Sequence, residues 1–220
     1  IFSLIVMFGL AVPIGVRASL RPGGRFDNIA TVILFMLFAA PSFWLALILM
    51  QLLCINWNFL PISGVVSLDF EYMNYWEKGL DIGRHLFLPI IVSSISGLAG
   101  ISRYMRSSMI EALNQPYIYT ARAKGLSEKK VVYKHAMRNA VIPIVTIMGL
   151  SVPGLLGGSV IFESIFALPG IGRLFYEAVM TRDYPLIMAE VVIGAVLTMF
   201  GNLFADIAYA LVDPRIRYKK

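Results

Sequence analysis

The chain has 220 residues, of which 58% are hydrophobic and only 15% are charged. Soluble domains usually carry about 25% charged residues. A chain with a mean hydropathy of +0.76 could not hide its apolar surface from water, so the composition excludes an ordinary soluble protein and indicates an integral membrane protein. The net charge of +6 does not indicate a nucleic-acid partner, because the basic residues are confined to a few loops.

Five segments are apolar and long enough to cross a membrane, which takes about 20 helical residues. The predicted spans are 1–18, 28–54, 85–105, 140–162 and 186–210. The sequence therefore predicts an all-α fold, a polytopic transmembrane helical bundle in one domain over residues 1–220. Residue 1 lies inside an apolar run without an initiator methionine, so we expect an N-terminally truncated chain.

The basic residues also predict the orientation of the chain. Of the 19 Lys and Arg residues, 15 lie in segments 17–27 and 103–138 and in the C-terminal tail. Cytoplasmic loops of membrane proteins carry an excess of Lys and Arg. Loop 103–139 and the C-terminus are therefore predicted to be cytoplasmic, with segments 55–84 and 163–185 on the outer side.

The longest polar run of the chain follows the third span. That span is predicted to continue to Leu113, and a short helix over 116–124 begins with a proline, which is favoured at a first helical position. Gly125 is suited to end this helix in the left-handed conformation. Ser127 is predicted to cap a further helix that reaches about Arg138.

The short helix carries an apolar stripe of Tyr117, Ile118 and Ala121 beside Arg122 and Lys124. Such a helix can dock in the groove of a partner protein or lie on anionic lipid. The spacing leaves both interpretations open, although the lack of large anchors such as Trp or Phe favours the partner.

Several blocks of sequence resemble a known family. TARAKGLS (120–127) and HAMRNAVIP (135–143) resemble the cytoplasmic signature loop of permease subunits of bacterial ABC importers, in the dipeptide, oligopeptide and nickel class. FESIFALPGIGRLFYEAV (162–179), TRDYP (181–185) and NLFADIAYALVDPRIRY (202–218) extend the resemblance over nearly the whole chain. The last block resembles the first of the two permeases in such systems.

The resemblance implies a type I ABC importer permease fold in the bacterial inner membrane and ATP-driven import of peptides or nickel. The implied partners are a second homologous permease, two ATPase subunits, an extracytoplasmic solute-binding protein and the lipid bilayer, with no nucleic acid. ATP and Mg would be bound by the ATPase subunits. This chain has no G-x-x-x-x-G-K-[ST] motif, and it is expected to hold no cofactor, metal or catalytic residue.

The resemblance also implies that segment 106–139, called the coupling loop below, transmits ATPase movement through its short helix. The implied ATPase-coupling residues are Tyr117, Thr120, Ala121, Arg122, Ala123, Lys124, Gly125, Leu126 and Arg138. The family often has Glu six residues before its glycine, and Tyr119 stands there in this chain. Arg122 or Lys124 is expected to hold the ATPase instead.

Two acidic residues, Glu190 and Asp206, lie inside a predicted span, where burying a charge is costly. We expect structural roles for both. Glu190 is placed to reach water or Arg182, and Asp206 to pair with a basic residue such as Arg103. Asn202 lies one helical turn before Asp206, which fits a polar contact between helices.

Two other function classes remain open at this point. An ion-gradient-driven transporter or channel would need a path of intramembrane charges, and this chain offers only these two acids, both near the ends of a span. A membrane scaffold would use the basic loop to bind lipid.

Overall fold

The computed structural model describes residues 1–151 and 158–212, and the side chains in those ranges except at positions 150, 204–206 and 208–212. The described residues form helices and connecting turns, without a β-strand among them. This confirms the predicted all-α fold.

Most of the helices follow one another along the chain with short connections, and the longer connection 57–74 contains the 3₁₀-helical turn Phe70–Tyr72. Their bounds are α1 Phe2–Ser19, α2 Arg25–Ala39, α3 Ser42–Met50, α4 Tyr75–Leu113, α5 Pro116–Ala123, α6 Glu128–Lys130, α7 Met137–Ala140, α8 Ile142–Ser151, α9 Val160–Ile165, α10 Ile171–Thr181 and α11 Tyr184–Val212. Two π-helical turns, Gln51–Asn56 and Val131–Ala136, continue α3 and α6.

Within the described ranges, three helices are long and apolar enough to span a membrane. These are α1, α4 and the Tyr184–Leu203 part of α11, and the pair formed by Arg25–Ala39 and Ser42–Asn56 would make a fourth. The predicted span 140–162 falls partly outside the described residues. Its described parts are α8 and α9.

The segment predicted as one span over 28–54 is divided into two helices. Helix α2 ends at Ala39 and α3 begins at Ser42, with Pro41 in an extended conformation between them. The residue before a proline is disfavoured in the α-helical region because the proline ring clashes with its backbone. Pro41 therefore accounts for the interruption.

The described chain forms two compact units, defined here by their residues. The loop unit comprises residues 2–39 and 94–151 and the described part of the C-terminal segment, residues 206–212. Its apolar core joins α1, α4, the coupling loop and α8. The buried members are Met7, Phe8, Val16, Met105, Met109, Ala112, Ile118, Ala121, Val131, Val132, Ala136, Ala140 and Ile144.

The second unit, called the Glu163 unit, comprises residue 1, residues 40–93 and the described part of 152–205. Its buried apolar core is Ala46, Cys54, Leu60, Leu88, Val92 and Phe166. A backbone hydrogen bond of 2.9 Å from Gly64 N–H to the Phe166 carbonyl joins the segment after α3 to the end of α9.

Within the loop unit, α1 packs against α4 at Gly15 with no room for a side chain. A Cβ at this position would lie 2.7 Å from the Met105 Cβ and 3.0 Å from the Arg106 backbone nitrogen. Small residues allow membrane helices to approach this closely. The contact fixes α1 beside the half of α4 that leads into the coupling loop.

Candidate functional site

The break between the first two helices of the coupling loop falls where the sequence predicts it. Helix α4 ends at Leu113, and α5 begins with Pro116 in the first turn. The Ile118 N–H donates to the Gln115 carbonyl at 3.0 Å, which starts the new helix. Since proline lacks an N–H and fixes its own φ, it ends one helix and starts the next without losing a hydrogen bond.

Gly125 closes α5 in the left-handed conformation, with φ of +72°. Its N–H donates to the Arg122 carbonyl at 2.9 Å, and the Leu126 N–H donates back to the Ala121 carbonyl at 3.4 Å. This is the hydrogen-bond pattern of a glycine-terminated helix. Gly125 therefore ends α5 as the sequence predicts.

The helix after Gly125 departs from the prediction at its start. Ser127 stands at the N-cap position, but its side chain makes no capping hydrogen bond. The helix also changes to a π-helical turn at Val131, where the Met137 N–H donates to the Val132 carbonyl five residues back. The side-chain cap predicted for Ser127 is therefore absent, and the helix starts through backbone bonds to the Ser127 carbonyl.

The apolar stripe of α5 is used inside the chain. Ile118 is fully buried and Ala121 is 6% exposed, and both belong to the core of the loop unit. The sequence favoured a partner protein over lipid as the surface that this stripe contacts. For Ile118 and Ala121 both orientations are wrong, because these side chains are buried in the chain itself, whereas Tyr117 of the same stripe is exposed. The opposite face of α5, with Tyr119, Thr120 and Ala123, is exposed.

Two polar contacts hold the exposed side chains of the loop. The Asn139 side-chain amide donates to the Tyr117 hydroxyl at 2.9 Å. Arg122 Nε lies 2.8 Å from Glu128 Oε1, and this hydrogen-bonded carboxylate raises the pKa of Arg122 above its ordinary value. Lys124 and Arg138 are exposed and have no ion-pair partner among the described residues.

The three polar residues predicted in the last span have different outcomes. Glu190 is buried, and neither carboxylate oxygen has a hydrogen-bond partner among the described residues. The predicted contact between Glu190 and Arg182 is absent from the described residues. Asn202 is exposed, and the Asp206 side chain, with its predicted pairing, lies outside the described side chains.

An ion pair with a buried carboxylate in the loop unit was missed by the sequence reasoning. Asp27 was assigned to a basic turn, yet it is 3% exposed and accepts two hydrogen bonds of 2.7 Å from Arg106 Nε and Nη2. The two residues are 79 positions apart. The one signal in the sequence for this ion pair is that Asp27 is the single acidic residue in the stretch 17–27, which also holds three arginines.

A second missed feature organises the Glu163 unit. Glu163 accepts backbone hydrogen bonds from Ser159 at 2.9 Å and from Arg173 at 2.8 Å, which joins both ends of the segment 158–173. The backbone at Gly170 and Gly172 runs so close that a Cβ would collide with the Glu163 carboxylate or with the Val160 backbone. One carboxylate and two glycines thus shape this segment, called the Glu163 turn below.

Comparison with known proteins identifies the family. Residues 11–218 match the family model described as the binding-protein-dependent transport system inner membrane component. The chain is 46% identical to the oligopeptide transport system permease protein AppB of Bacillus subtilis, over 98% of this chain and 67% of that protein. It is 38% identical to the dipeptide transport system permease protein DppB of Escherichia coli K12, over 99% of this chain and 69% of that protein.

A third relative agrees with these two. The di/tripeptide transport system permease protein DppB of Pseudomonas aeruginosa is 41% identical over 97% of this chain and 67% of its own length. The predicted resemblance to ABC importer permeases in the inner membrane is confirmed, and the ion-gradient-driven transporter and the membrane scaffold are set aside. The chain belongs to the family of inner membrane components of binding-protein-dependent transport systems, as a permease subunit.

Proposed function

We propose that this permease subunit imports di- or oligopeptides, with ATP and Mg bound by separate ATPase subunits. The support is that relatives 38–46% identical to this chain over the matched residues are named as oligopeptide, dipeptide or di/tripeptide permeases. None of these three names mentions nickel. The absence of a phosphate-binding G-x-x-x-x-G-K-[ST] motif from the sequence supports placing the nucleotide on another polypeptide.

The proposed assembly contains a second homologous permease, two ATPase subunits and an extracytoplasmic solute-binding protein in the bilayer. Both units of this chain belong to its single permease domain. The coupling loop and the C-terminus face the cytoplasm, because segments 17–27 and 103–138 and the C-terminal tail hold 15 of the 19 Lys and Arg residues. The loop is therefore on the side where ATP is available.

The observation that carries the coupling role is the two-faced packing of α5. Its buried side, Ile118 and Ala121, joins the same core as Met105 and Met109 of α4. Its other side is exposed. A helix fixed in this way passes a push on its exposed face directly to a membrane helix, as a coupling helix seated in an ATPase cleft must do.

The nine coupling residues then divide into two roles. Ala121, Gly125 and Leu126 hold the helix on the chain and close its end. The exposed side chains contact the ATPase, and these are Tyr117, Thr120, Arg122, Ala123, Lys124 and Arg138. Because Arg122 is already paired with Glu128, Lys124 is our preferred cation for holding the ATPase in place of the missing family Glu.

The test is reconstitution of the complete transporter in proteoliposomes, with ATPase activity and peptide uptake measured with and without peptide-loaded binding protein. Gly125→Leu and Lys124→Glu are expected to abolish the stimulation of ATPase activity by the binding protein. Arg122→Glu is expected to weaken this stimulation, because the variant breaks the ion pair between Arg122 and Glu128. Lys130→Glu, a charge reversal on the exposed part of α6, is the matched control and should retain stimulation. If Gly125→Leu and Lys124→Glu both keep wild-type stimulation and uptake, the coupling role is refuted.

A further inference from the structure

The Asp27–Arg106 ion pair of the loop unit joins a buried carboxylate to a partly exposed guanidinium. Arg106 Nε lies 2.7 Å from Asp27 Oδ1, and Arg106 Nη2 lies 2.7 Å from Oδ2, so both oxygens face the guanidinium fork. The Gly23 N–H adds a third hydrogen bond, 2.8 Å from Oδ2. Two-point Arg–carboxylate contacts of this kind fix orientation as well as distance.

Asp27 is also the only residue of α2 that is buried. The other side chains of this helix are exposed or half-buried, including large apolar ones such as Val32, Phe35 and Phe38. Beside it, a cavity of about 470 Å³ is lined by α2 residues, among them Leu34 and Phe35, and by Ala99 and Gly100 of α4. Close apolar packing therefore does not hold α2 to α4 over this stretch. The described contacts between the two helices are the ion pair at the first turn of α2 and the Arg103 guanidinium, 5.6 Å from the centre of the Phe35 ring.

Arg106 is the first residue of the coupling loop and lies on the last part of α4. Its neighbour Met105 and the next inward residue, Met109, are both fully buried in the core that includes Ile118 of α5. A displacement of α5 must therefore displace this segment of α4, and with it Arg106. The chain passes out of the loop unit directly after α2, at Ala39.

We propose that the Asp27–Arg106 pair is a positioning element that makes α2 follow the coupling loop, so that ATPase movement reaches α2 as well as α4. This inference rests on the proposed coupling function. The pair touches neither nucleotide nor transported peptide. Its role is to transmit a displacement. Removing the pair should leave ATP hydrolysis intact, but fewer peptides should be transported per ATP hydrolysed.

The variants separate this role from local stability. Asp27→Asn keeps a side-chain oxygen that can accept the Gly23 N–H, so the first turn of α2 keeps its cap while the charge is lost. Arg106→Gln removes the other partner, and each single variant leaves one charge unpaired, either the buried Asp27 carboxylate or the partly exposed Arg106 guanidinium. The double variant Asp27→Asn, Arg106→Gln leaves none, so it carries the test even where a single variant fails to assemble. Arg84→Gln is the control for removing an arginine from α4, because Arg84 is exposed and forms no ion pair among the described residues.

The experiment measures ATP hydrolysed per peptide transported in proteoliposomes holding equal amounts of assembled complex. We expect the double variant to raise this ratio at least about twofold, the range in which residues along a coupling route act. Because the partners act as one unit, the double variant should not exceed the more severe assembled single variant. Arg84→Gln should keep the wild-type ratio.

Two outcomes overturn the inference, and they differ from a failure of the proposed function. A wild-type ratio in the assembled double variant refutes the positioning role, as does an equal rise in Arg84→Gln. A wild-type complex whose ATPase activity does not respond to peptide-loaded binding protein would instead refute the coupling function on which the inference rests.

Discussion

The coupling loop and the Glu163 turn are both built from short helices, but they are held in shape by different forces. In the coupling loop, α5 and the helix after it bury apolar side chains such as Ile118, Val131 and Ala136 in the core of their unit. In the Glu163 turn, one carboxylate binds the backbone at both ends, and glycines make room for it. The first arrangement spreads stability over many contacts, whereas the second depends on a single side chain.

Ile118→Ala in the coupling loop tests this contrast with the largest expected loss of stability. Removing buried methylene groups from a packed core costs about 2–5 kcal/mol, from lost burial and from the cavity left behind. Ile118 is fully buried, so the melting temperature of the purified complex should fall clearly. Tyr119→Ala, at a neighbouring side chain that is 57% exposed, is the control and should leave the melting temperature nearly unchanged. Equal losses in the two variants would contradict the two-faced packing of α5.

Glu163→Gln tests whether the Glu163 turn depends on one carboxylate. The change keeps the size of the side chain but replaces an acceptor oxygen with an amide that faces a backbone N–H. A hydrogen bond to a charged group contributes about 1.5–3 kcal/mol, and faster proteolysis within 158–173 should accompany the loss. The control is Glu177→Gln, which breaks only the exposed pair with Arg173. If the control is as damaging as Glu163→Gln, the turn is not organised by Glu163.

Gly125→Ala measures the backbone requirement at the end of α5 without disturbing any packing. A Cβ there would meet nothing within 4 Å, but φ is +72°, and placing alanine in this region costs about 1 kcal/mol. Gly100→Ala is the matched control, since it also has open space around the added Cβ but lies inside α4 with no positive φ. Alanine should stabilise that helical site slightly. Thermal unfolding should therefore show opposite signs for the two changes.

Arg122→Gln should have the smallest effect on stability. The side chains of Arg122 and Glu128 are 40% and 66% exposed, and exposed pairs contribute about 0–1 kcal/mol. The difference in melting temperature from wild type should shrink further in high salt, because salt screens exposed charges. A large, salt-independent loss would show that the pair supports the loop as strongly as its apolar core does.

The features that the sequence predicted correctly are those set by local sterics. Pro116 starts a helix and Gly125 ends one because their own rings, hydrogens and allowed φ values decide the backbone there. The third span was likewise correctly extended to Leu113, since nothing before Asn114 interrupts the helix. Such features need no knowledge of which helices become neighbours.

The features that the sequence missed depend on contacts between distant parts of the chain. The partner of Asp27 is 79 residues away. Three arginines lie nearer to Asp27 in the sequence, so the sequence alone does not single out Arg106 as its partner. The stripe of Ile118 and Ala121 was recognised as apolar, but the pattern alone does not say whether it faces a partner or the chain's own α4. Glu163 binds backbone N–H groups rather than a charged side chain, so a search for charge pairs could not find it.

The π-helical turn at Val131–Ala136 has a consequence for how the coupling loop accommodates changes in chain length. Its hydrogen bond from Met137 N–H to the Val132 carbonyl encloses one residue more than an α-helical turn does. Deleting one residue there would let the ordinary α-helical bond form. The same deletion inside α5 would rotate Ile118 off its buried face. This turn is therefore the place in the loop where a one-residue deletion can be absorbed with α5 still seated on α4.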